Sequence, residues 1–188
     1  MAKRTRMAAV MAAAAAAAIL VAAQSSAATE SDAQAVSLPA GTAHLRSSSP
    51  VINAAIESAI ERSATFRDLV AAINASDSWV FVNEGDCGHG VRACFVSVRS
   101  SGSYRFMFIL IDPRKRDGDL IGSIGHELRH TIEVIGEPTV RTDSAKFFFY
   151  ERIAMHGSSG ERETLAAMDA GNAVRSEVIR FNRQAKSE

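Results

Sequence analysis

Two histidines four residues apart place the strongest constraint on how this chain can fold. They lie in the stretch "DLIGSIGHELRHTIEVIGEP", residues 119–138. Gly136 and Pro138 end a pattern of apolar residues at helical spacing. On such a helix His126 and His130 share one face, a turn apart, where both imidazoles can bind one metal ion. The buried side of this predicted helix consists of Leu120, Ile121, Ile124, Leu128, Ile132 and Ile135.

The residue between these histidines completes a His-Glu-x-x-His arrangement. Glu127 projects beside the shared face, where it can reach a water molecule on the metal. Zinc lowers the pKa of such a water and polarises a carbonyl, and a neighbouring glutamate can then act as general base. Glycines at 122 and 125 would let another element approach this helix closely. The motif therefore predicts a hydrolytic zinc site with one zinc ion per chain.

The rest of the chain predicts an α+β fold. Ser49 and Ser63 are predicted caps of two consecutive helices. Three runs rich in β-branched and aromatic residues follow, "SWVFVN", "ACFVSV" and "YRFMFILI", separated by turn residues. We expect them to form a three-stranded antiparallel meander. After the histidine helix, residues 142–154 predict a short helix and residues 161–182 a long final one.

This order of elements, together with GHELRH, resembles the zincin-fold zinc metalloproteases, and more narrowly the small gluzincins. The resemblance covers roughly residues 50–182, although only GHELRH is specific. It implies one domain, residues 49–182, with N-terminal helices, a small antiparallel sheet, the active-site helix and a C-terminal helix that carries a glutamate ligand. It also implies an edge strand that binds extended substrate by strand addition.

The third metal ligand is expected to be a glutamate. The metzincin pattern is excluded, because it would require Gly at 133 and His at 136, where this chain has Glu133 and Gly136. The gluzincin resemblance instead implies a glutamate from a later helix, and we choose Glu163, followed by Glu161. The family usually has an Asp four residues after this ligand, but this chain has Ala167 there. The other candidates are Glu151 and Glu177.

Two further residues are candidates for supporting the site. Glu133 follows His130 by three residues, so it shares the histidine face and could orient an imidazole in place of the missing Asp. It could equally be a solvated surface glutamate. His156 lies in the loop before the final helix and could stabilise an oxyanion or replace a ligand, or simply be exposed.

The N-terminus has the layout of a secretory signal peptide. A basic start, "MAKRTR", precedes an apolar run, and small residues follow, with cleavage expected after Ala28. A retained membrane anchor is the alternative. The two cysteines, Cys87 and Cys94, then predict a disulfide in an oxidising compartment rather than a metal site. Residues 29–48 are expected to be a flexible lead-in and residues 183–188 a tail.

These observations favour an exported, periplasmic or secreted zinc metallopeptidase acting on peptides or proteins. The chain has 21 basic and 21 acidic residues, and loss of Lys3, Arg4 and Arg6 leaves a net charge of about −3, which argues against nucleic-acid binding. No stable membrane anchor is expected after cleavage. The alternatives are a zinc amidohydrolase acting on non-peptide amides and a non-catalytic binding or structural domain.

Overall fold

A computed structural model of the chain describes residues 43–88, 91–114, 117–156 and 162–187. Within these ranges the protein is an α+β domain with five helices and a small mixed sheet. No helix of the described ranges is long and apolar enough to cross a membrane. The elements in chain order are β1 (Leu45–Arg46), α1 (Pro50–Arg62), α2 (Ala64–Asn74), β2 (Ser78–Glu84), β3 (Ala93–Ser101), β4 (Tyr104–Ile111), α3 (Asp117–Ile135), α4 (Asp143–Ile153), β5 (Met155–His156), β6 (Arg162–Glu163) and α5 (Leu165–Gln184).

The main sheet is mixed, so the predicted antiparallel meander is wrong. Its strand order is β1-β2-β4-β3, with β1 parallel to β2 and β2 parallel to β4. Only β3 and β4 form the expected antiparallel hairpin, closed at Gly102, whose φ of 57° suits a residue without a side chain. The segment between β2 and β3 is long enough to carry the chain past β4, so sequence neighbours need not pair.

The composition of β4 explains why it takes a central place. Arg105, Met107, Ile109 and Ile111 point to the buried face, while the residues between them are half-buried aromatic or aliphatic side chains. A strand apolar on both faces is most stable with a neighbour on each side. Strand β3 ends in polar, exposed residues and lies at the edge.

The starts of α1 and α2 agree with the predicted caps. The Ser49 side chain accepts a hydrogen bond from the Ile52 amide, and Pro50 occupies the first turn. The Ser63 side chain accepts one from the Phe66 amide at 3.0 Å. Both helices bury their apolar faces against the sheet and α3, which makes this core the support of the histidine helix.

Three predicted boundaries need correction. The lead-in predicted over 29–48 extends too far, because Leu45 is fully buried in β1 beside Val80. Helix α5 continues to Gln184, beyond the predicted end of the domain at 182. It also begins later than predicted, because Thr164 is its N-cap, so Glu163 lies on β6 and not on the C-terminal helix. The predicted signal peptide lies outside the described residues.

A buried ion pair joins the sheet to the end of α3. Arg105 on β4 is only 3% exposed, and its guanidinium contacts the Asp77 carboxylate at 2.7 Å. The same guanidinium donates to the carbonyls of Val134 and Ile135 in the last turn of α3, at 2.7 and 3.1 Å. A cation that binds the terminal carbonyls also complements the helix dipole. The position of α3 relative to β4 is thereby fixed at this end.

Glycines allow α5 to approach α3 closely, as the sequence predicted for positions 122 and 125. A Cβ added at Gly125 would lie 2.9 Å from the Val174 side chain. A Cβ added at Gly171 would lie 3.0 Å from the Gly122 carbonyl oxygen and 3.0 Å from the Cβ of His126. Gly171 was not identified from the sequence, although it faces both Gly122 and His126 on the histidine helix.

We expect Gly171→Ala to destabilise the protein. Alanine in a helix is normally about 1 kcal/mol better than glycine, but the added methyl would collide with backbone and with His126, at a cost of about 1–3 kcal/mol. The measurement is the free energy of unfolding by denaturant titration. Gly118→Ala is the matched control, because its Cβ would meet only Ile179, at 3.7 Å. Equal stability of the two variants would contradict this packing argument.

Candidate metal centre

Three side chains predicted as metal ligands converge on one point. Ligand atoms of His126, His130 and Glu163 all lie within 4.8 Å of one another, so the group could hold a metal ion. Glu163 Oε2 is 2.9 Å from His126 Nε2 and 3.8 Å from His130 Nε2. The two histidine rings meet edge to face, with centroids 4.9 Å apart. Two imidazoles and one carboxylate suit a divalent transition metal.

The arrangement of the donor atoms suits a bound metal ion better than a set of hydrogen bonds among the three side chains. Glu163 Oε2 is buried but has no hydrogen-bond partner among the described residues, despite its short distance to His126. An orphaned buried oxygen is costly unless a cation or a donor occupies the space beside it. The imidazoles of His126 and His130 hold the pKa of Glu163 well below its usual range. The carboxylate is therefore ionised and ready to act as a ligand.

Two separate elements bring the ligands together. Both histidines lie on α3, where His130 is 5% exposed and the His126 side chain is 20% exposed. Glu163 lies on β6, which pairs with β5 in a two-stranded antiparallel sheet. In this sheet Glu163 lies opposite Met155. Thr164 follows at once and caps α5 by accepting a hydrogen bond from the Ala167 amide. Because α5 packs tightly on α3, the cap holds Glu163 beside the histidines.

Glu133 contacts His130 and not solvent. Its Oε2 lies 2.9 Å from Nδ1 of His130, which leaves Nε2 of that ring free to face the metal position. The Thr164 hydroxyl donates to the other oxygen of Glu133 at 2.5 Å. Glu133 therefore lies where it can orient the His130 ring.

The charge on His130 follows from these neighbours. Burial lowers the pKa of His130, but the carboxylates of Glu133 and Glu163 outweigh burial and raise it to about 9. Burial likewise opposes ionisation of Glu133, whereas its bonds to His130 and Thr164 lower the pKa of that carboxyl overall. The Tyr150 hydroxyl donates to the His130 backbone carbonyl at 2.9 Å, so Tyr150 supports α3 at the histidine.

Glu127 is buried beside the ligand group, with 5% exposure. Burial raises the pKa of its carboxyl, and the nearby charges of His130 and His126 only partly oppose this shift. The backbone N–H of Phe95 on β3 also acts on the carboxylate. A glutamate held in this way is a stronger base than one in water, which is the property that proton abstraction requires.

The ligand group lies between two cavities that share Glu127 and Glu163. One has a volume of about 400 Å³ and extends past His126 towards Asn172 and Arg175. The other has a volume of about 360 Å³ and extends between β3 and α4 towards Lys146 and Phe147. A metal ion held by these three residues would therefore border both cavities.

The remaining candidates lie elsewhere. Glu177 accepts hydrogen bonds from the Ser63 and Thr65 hydroxyls at the start of α2, at 2.5 and 2.8 Å. Glu151 pairs with Arg162 at 2.6 Å. The backbone of His156 lies on β5, but its side chain, like all of Glu161, is outside the described residues.

The predicted disulfide is present and borders the second cavity. Cys87 and Cys94 are joined, with their Cα atoms 6.0 Å apart. Cys94 lies at the start of β3 and lines the cavity between this strand and α4. The disulfide therefore joins the loop after β2 to β3, the strand that forms one wall of the cavity between β3 and α4.

Several residues of the cleft were not identified from the sequence. Lys146 and Phe147 lie in the helix predicted over residues 142–154, and Phe147 is 45% exposed beside the cavity between β3 and α4. The N-cap role of Thr164 had a recognisable signal, a threonine directly before the apolar run "LAAM". Lys146 had none, because its role depends on the position of β3.

The metal content of the purified protein tests the ligand set. We expect one zinc ion per chain by elemental analysis after dialysis, and at least about a hundredfold weaker zinc binding in Glu163→Ala, since a directly bonded ligand should matter more than the residues around it. Glu161→Ala and Glu151→Ala are the controls and should retain zinc. Loss of zinc in Glu161→Ala with retention in Glu163→Ala would show that the ligand is misassigned.

A second substitution tests the orienting role of Glu133. Glu133→Gln should weaken zinc binding by about 10–100-fold, because the amide cannot hold the His130 ring as the carboxylate does. Zinc affinity by competition with a chelator is the measurement. Glu137→Gln is the control, since the Glu137 carboxylate bonds to Thr139, outside the site. Wild-type affinity in Glu133→Gln would leave Glu133 as a structural residue.

Comparisons with protein families, with curated proteins and with solved structures found no match for this chain.

Proposed function

We propose that the protein is an exported zinc-dependent metallopeptidase of zincin-like architecture. The observation that carries this proposal is the position of Glu127, a buried carboxylate with a raised pKa directly beside a two-histidine, one-glutamate ligand group. A purely structural metal site has four protein ligands and needs no adjacent base. Three ligands, an open side and a base are the composition of a hydrolytic site.

Zinc is the metal that best suits this donor set. It is commonly bound in catalytic sites by two histidines and a glutamate, with a fourth position left for water or substrate. A bound zinc ion supplies Lewis acidity, which makes water more acidic and polarises a carbonyl group. Glu133 and Thr164 support the ligands from outside, so the ligand geometry does not depend on the metal alone.

The protein residues have distinct roles in the proposed reaction. Glu127 accepts a proton from the attacking water and later delivers it to the leaving amine. Its burial raises its basicity, and Phe95 holds its carboxylate against β3. His126, His130 and Glu163 position the metal, while Glu133 fixes the His130 ring in the required orientation. As the water adds to the scissile carbonyl, Glu127 takes its proton, and the C–N bond then breaks as the amine leaves with that proton.

A peptide is the substrate that the cleft favours. The two cavities continue on opposite sides of the ligand group, so a chain can pass the metal with residues bound on each side. The cavity between β3 and α4 is bordered by apolar groups, including Phe95, Val96 and Phe147. A mostly apolar wall with a few polar groups is suited to peptide side chains.

The disulfide supports the export part of the proposal. Bonds such as Cys87–Cys94 persist in oxidising compartments and are rare in the cytosol. The N-terminal sequence, with its basic start, apolar run and small residues, is the expected export signal. A periplasmic or secreted location is therefore the proposed site of action.

Glu127→Gln tests whether the site is catalytic. The variant should retain zinc, because Glu127 is not a ligand, but lose peptide hydrolysis by at least about a thousandfold, since it can no longer accept a proton. The measurements are zinc content and the turnover of a quenched fluorescent peptide mixture. Glu61→Gln on exposed α1 surface is the control and should keep wild-type rates. Equal turnover by Glu127→Gln and the wild type would refute the proposed role.

A further inference from the structure

The exposed edge of β3 is already occupied by side chains of the protein. The ammonium of Lys146 on α4 donates to the carbonyls of Phe95 and Val96, at 2.7 and 2.5 Å. The Val98 N–H donates to the Asp143 carboxylate at 2.7 Å. The N–H of Phe95 faces Glu127. From Phe95 to Val98, therefore, the edge has few backbone groups left for another strand.

Because these side chains occupy the edge of β3, an extended substrate cannot pair with this part of the strand. The resemblance to zincins implied that an extended substrate adds to such a strand. Here α4 lies where that strand would continue, and Lys146 and Asp143 hold the helix in place through β3 itself. A substrate chain that enters the cavity beside the metal site meets α4 and cannot extend along residues 95–98. The cavity is thus closed at this end.

Lys146 stands at the closed end without an ion pair to any described residue, although the charges of Asp143 and Glu127 are near enough to favour its ammonium form. No carboxylate oxygen of a described residue lies within 4.0 Å of its ammonium, which bonds to two neutral carbonyls and retains a third N–H. The nearby charged groups are engaged elsewhere. Asp143 accepts from Val98, Arg162 pairs with Glu151 and lies over the Phe147 ring, and Glu127 and Glu163 belong to the ligand group.

We propose that Lys146 binds a carboxylate of the substrate at the closed end of the cavity between β3 and α4. The proposal deepens the proposed peptidase function and rests on it. The carboxylate has two possible sources, the free C-terminus of a peptide or the side chain of an acidic residue. Both would place one negative charge against Lys146 while the neighbouring apolar surface of Phe95 and Phe147 contacts the rest of the residue.

The surroundings of Lys146 favour an anion over a simple structural role. Its stem and ammonium lie over the Phe95 ring, 4.6 Å from the ring centroid, in a half-buried position. Burial lowers the pKa of Lys146 to about 8, which shows that its charge is poorly solvated there. The two neutral carbonyls offset only part of the free energy lost when the ammonium of Lys146 is removed from water. A bound carboxylate would offset the rest through a charge-assisted hydrogen bond.

Peptide binding to the zinc-loaded full-length Glu127→Gln protein tests the proposal without turnover. Three acetylated tetrapeptides serve as probes: Ala-Ala-Phe-Ala with a free C-terminus, the same peptide amidated, and the amidated peptide with Glu as its last residue. Isothermal calorimetry gives each Kd. We expect the free acid, the Glu peptide or both to bind at least about ten-fold tighter than the neutral amide, as for a hydrogen bond between charged groups.

Variants of Lys146 then assign the effect. Lys146→Gln keeps a hydrogen-bond donor for the strand carbonyls but removes the charge, so the preference for a carboxylate should disappear while the neutral amide binds within about two-fold of before. Lys146→Met should act in the same way, and Lys146→Arg should restore part of the preference. Lys186→Met, a change of an exposed lysine at the end of α5, is the matched control.

The outcomes separate this proposal from the proposed function. Similar affinities for all three peptides, a carboxylate preference that persists in Lys146→Gln, or no binding of any probe would each overturn it. The zinc content and the peptide hydrolysis rate of the wild-type protein, which keeps Glu127, are measured in parallel. An active zinc enzyme without the carboxylate preference would retain the peptidase function and refute the role of Lys146.

Discussion

The close contact between α3 and α5 determines where every residue of the candidate metal centre lies. Gly122, Gly125 and Gly171 bring the two helix backbones together beside His126. This distance fixes the first turn of α5, and through its N-cap Thr164 it fixes Glu163 on β6. A larger side chain at the contact would move the carboxylate away from the histidines. The ligand group is thus a consequence of helix packing, and the small two-stranded sheet only completes it.

Burial of so many carboxylates beside the histidines is unfavourable without a compensating cation. Glu127, Glu133 and Glu163 lie around His126 and His130, and burial acts against the charged form of each. Hydrogen bonds compensate the burial of these carboxylates to different extents. Glu133 is compensated by hydrogen bonds to His130 and Thr164, whereas a buried oxygen of Glu163 is left without a hydrogen bond. This asymmetry suits Glu133 to holding the His130 ring and Glu163 to binding a cation.

Local signals predicted the helices and the ligands, but not the sheet order. The caps at Ser49 and Ser63 act within a few residues, and so does the spacing of His126 and His130, which makes them readable from sequence. The parallel pairing of β2 with β4 depends on which strand is apolar on both faces, and that competition involves the whole domain. Glu163 is part of the group that could hold a metal ion, but it lies on β6 and not on the C-terminal helix, because Thr164 caps α5. Lys146 could not be recognised, since its partners are backbone carbonyls 50 residues away or more.

The disulfide and α4 hold the beginning and the middle of β3, which forms one wall of the cavity beside the candidate metal centre. Cys87–Cys94 anchors the beginning of the strand to the loop that follows β2, and Lys146 and Asp143 anchor its middle. An edge strand without such restraints would be free to pair with other chains, and proteins usually block such edges. Here the blocking side chains also border the cavity beside the candidate metal centre. The same contacts that protect the edge from unwanted pairing therefore decide how far a substrate chain can extend past the metal.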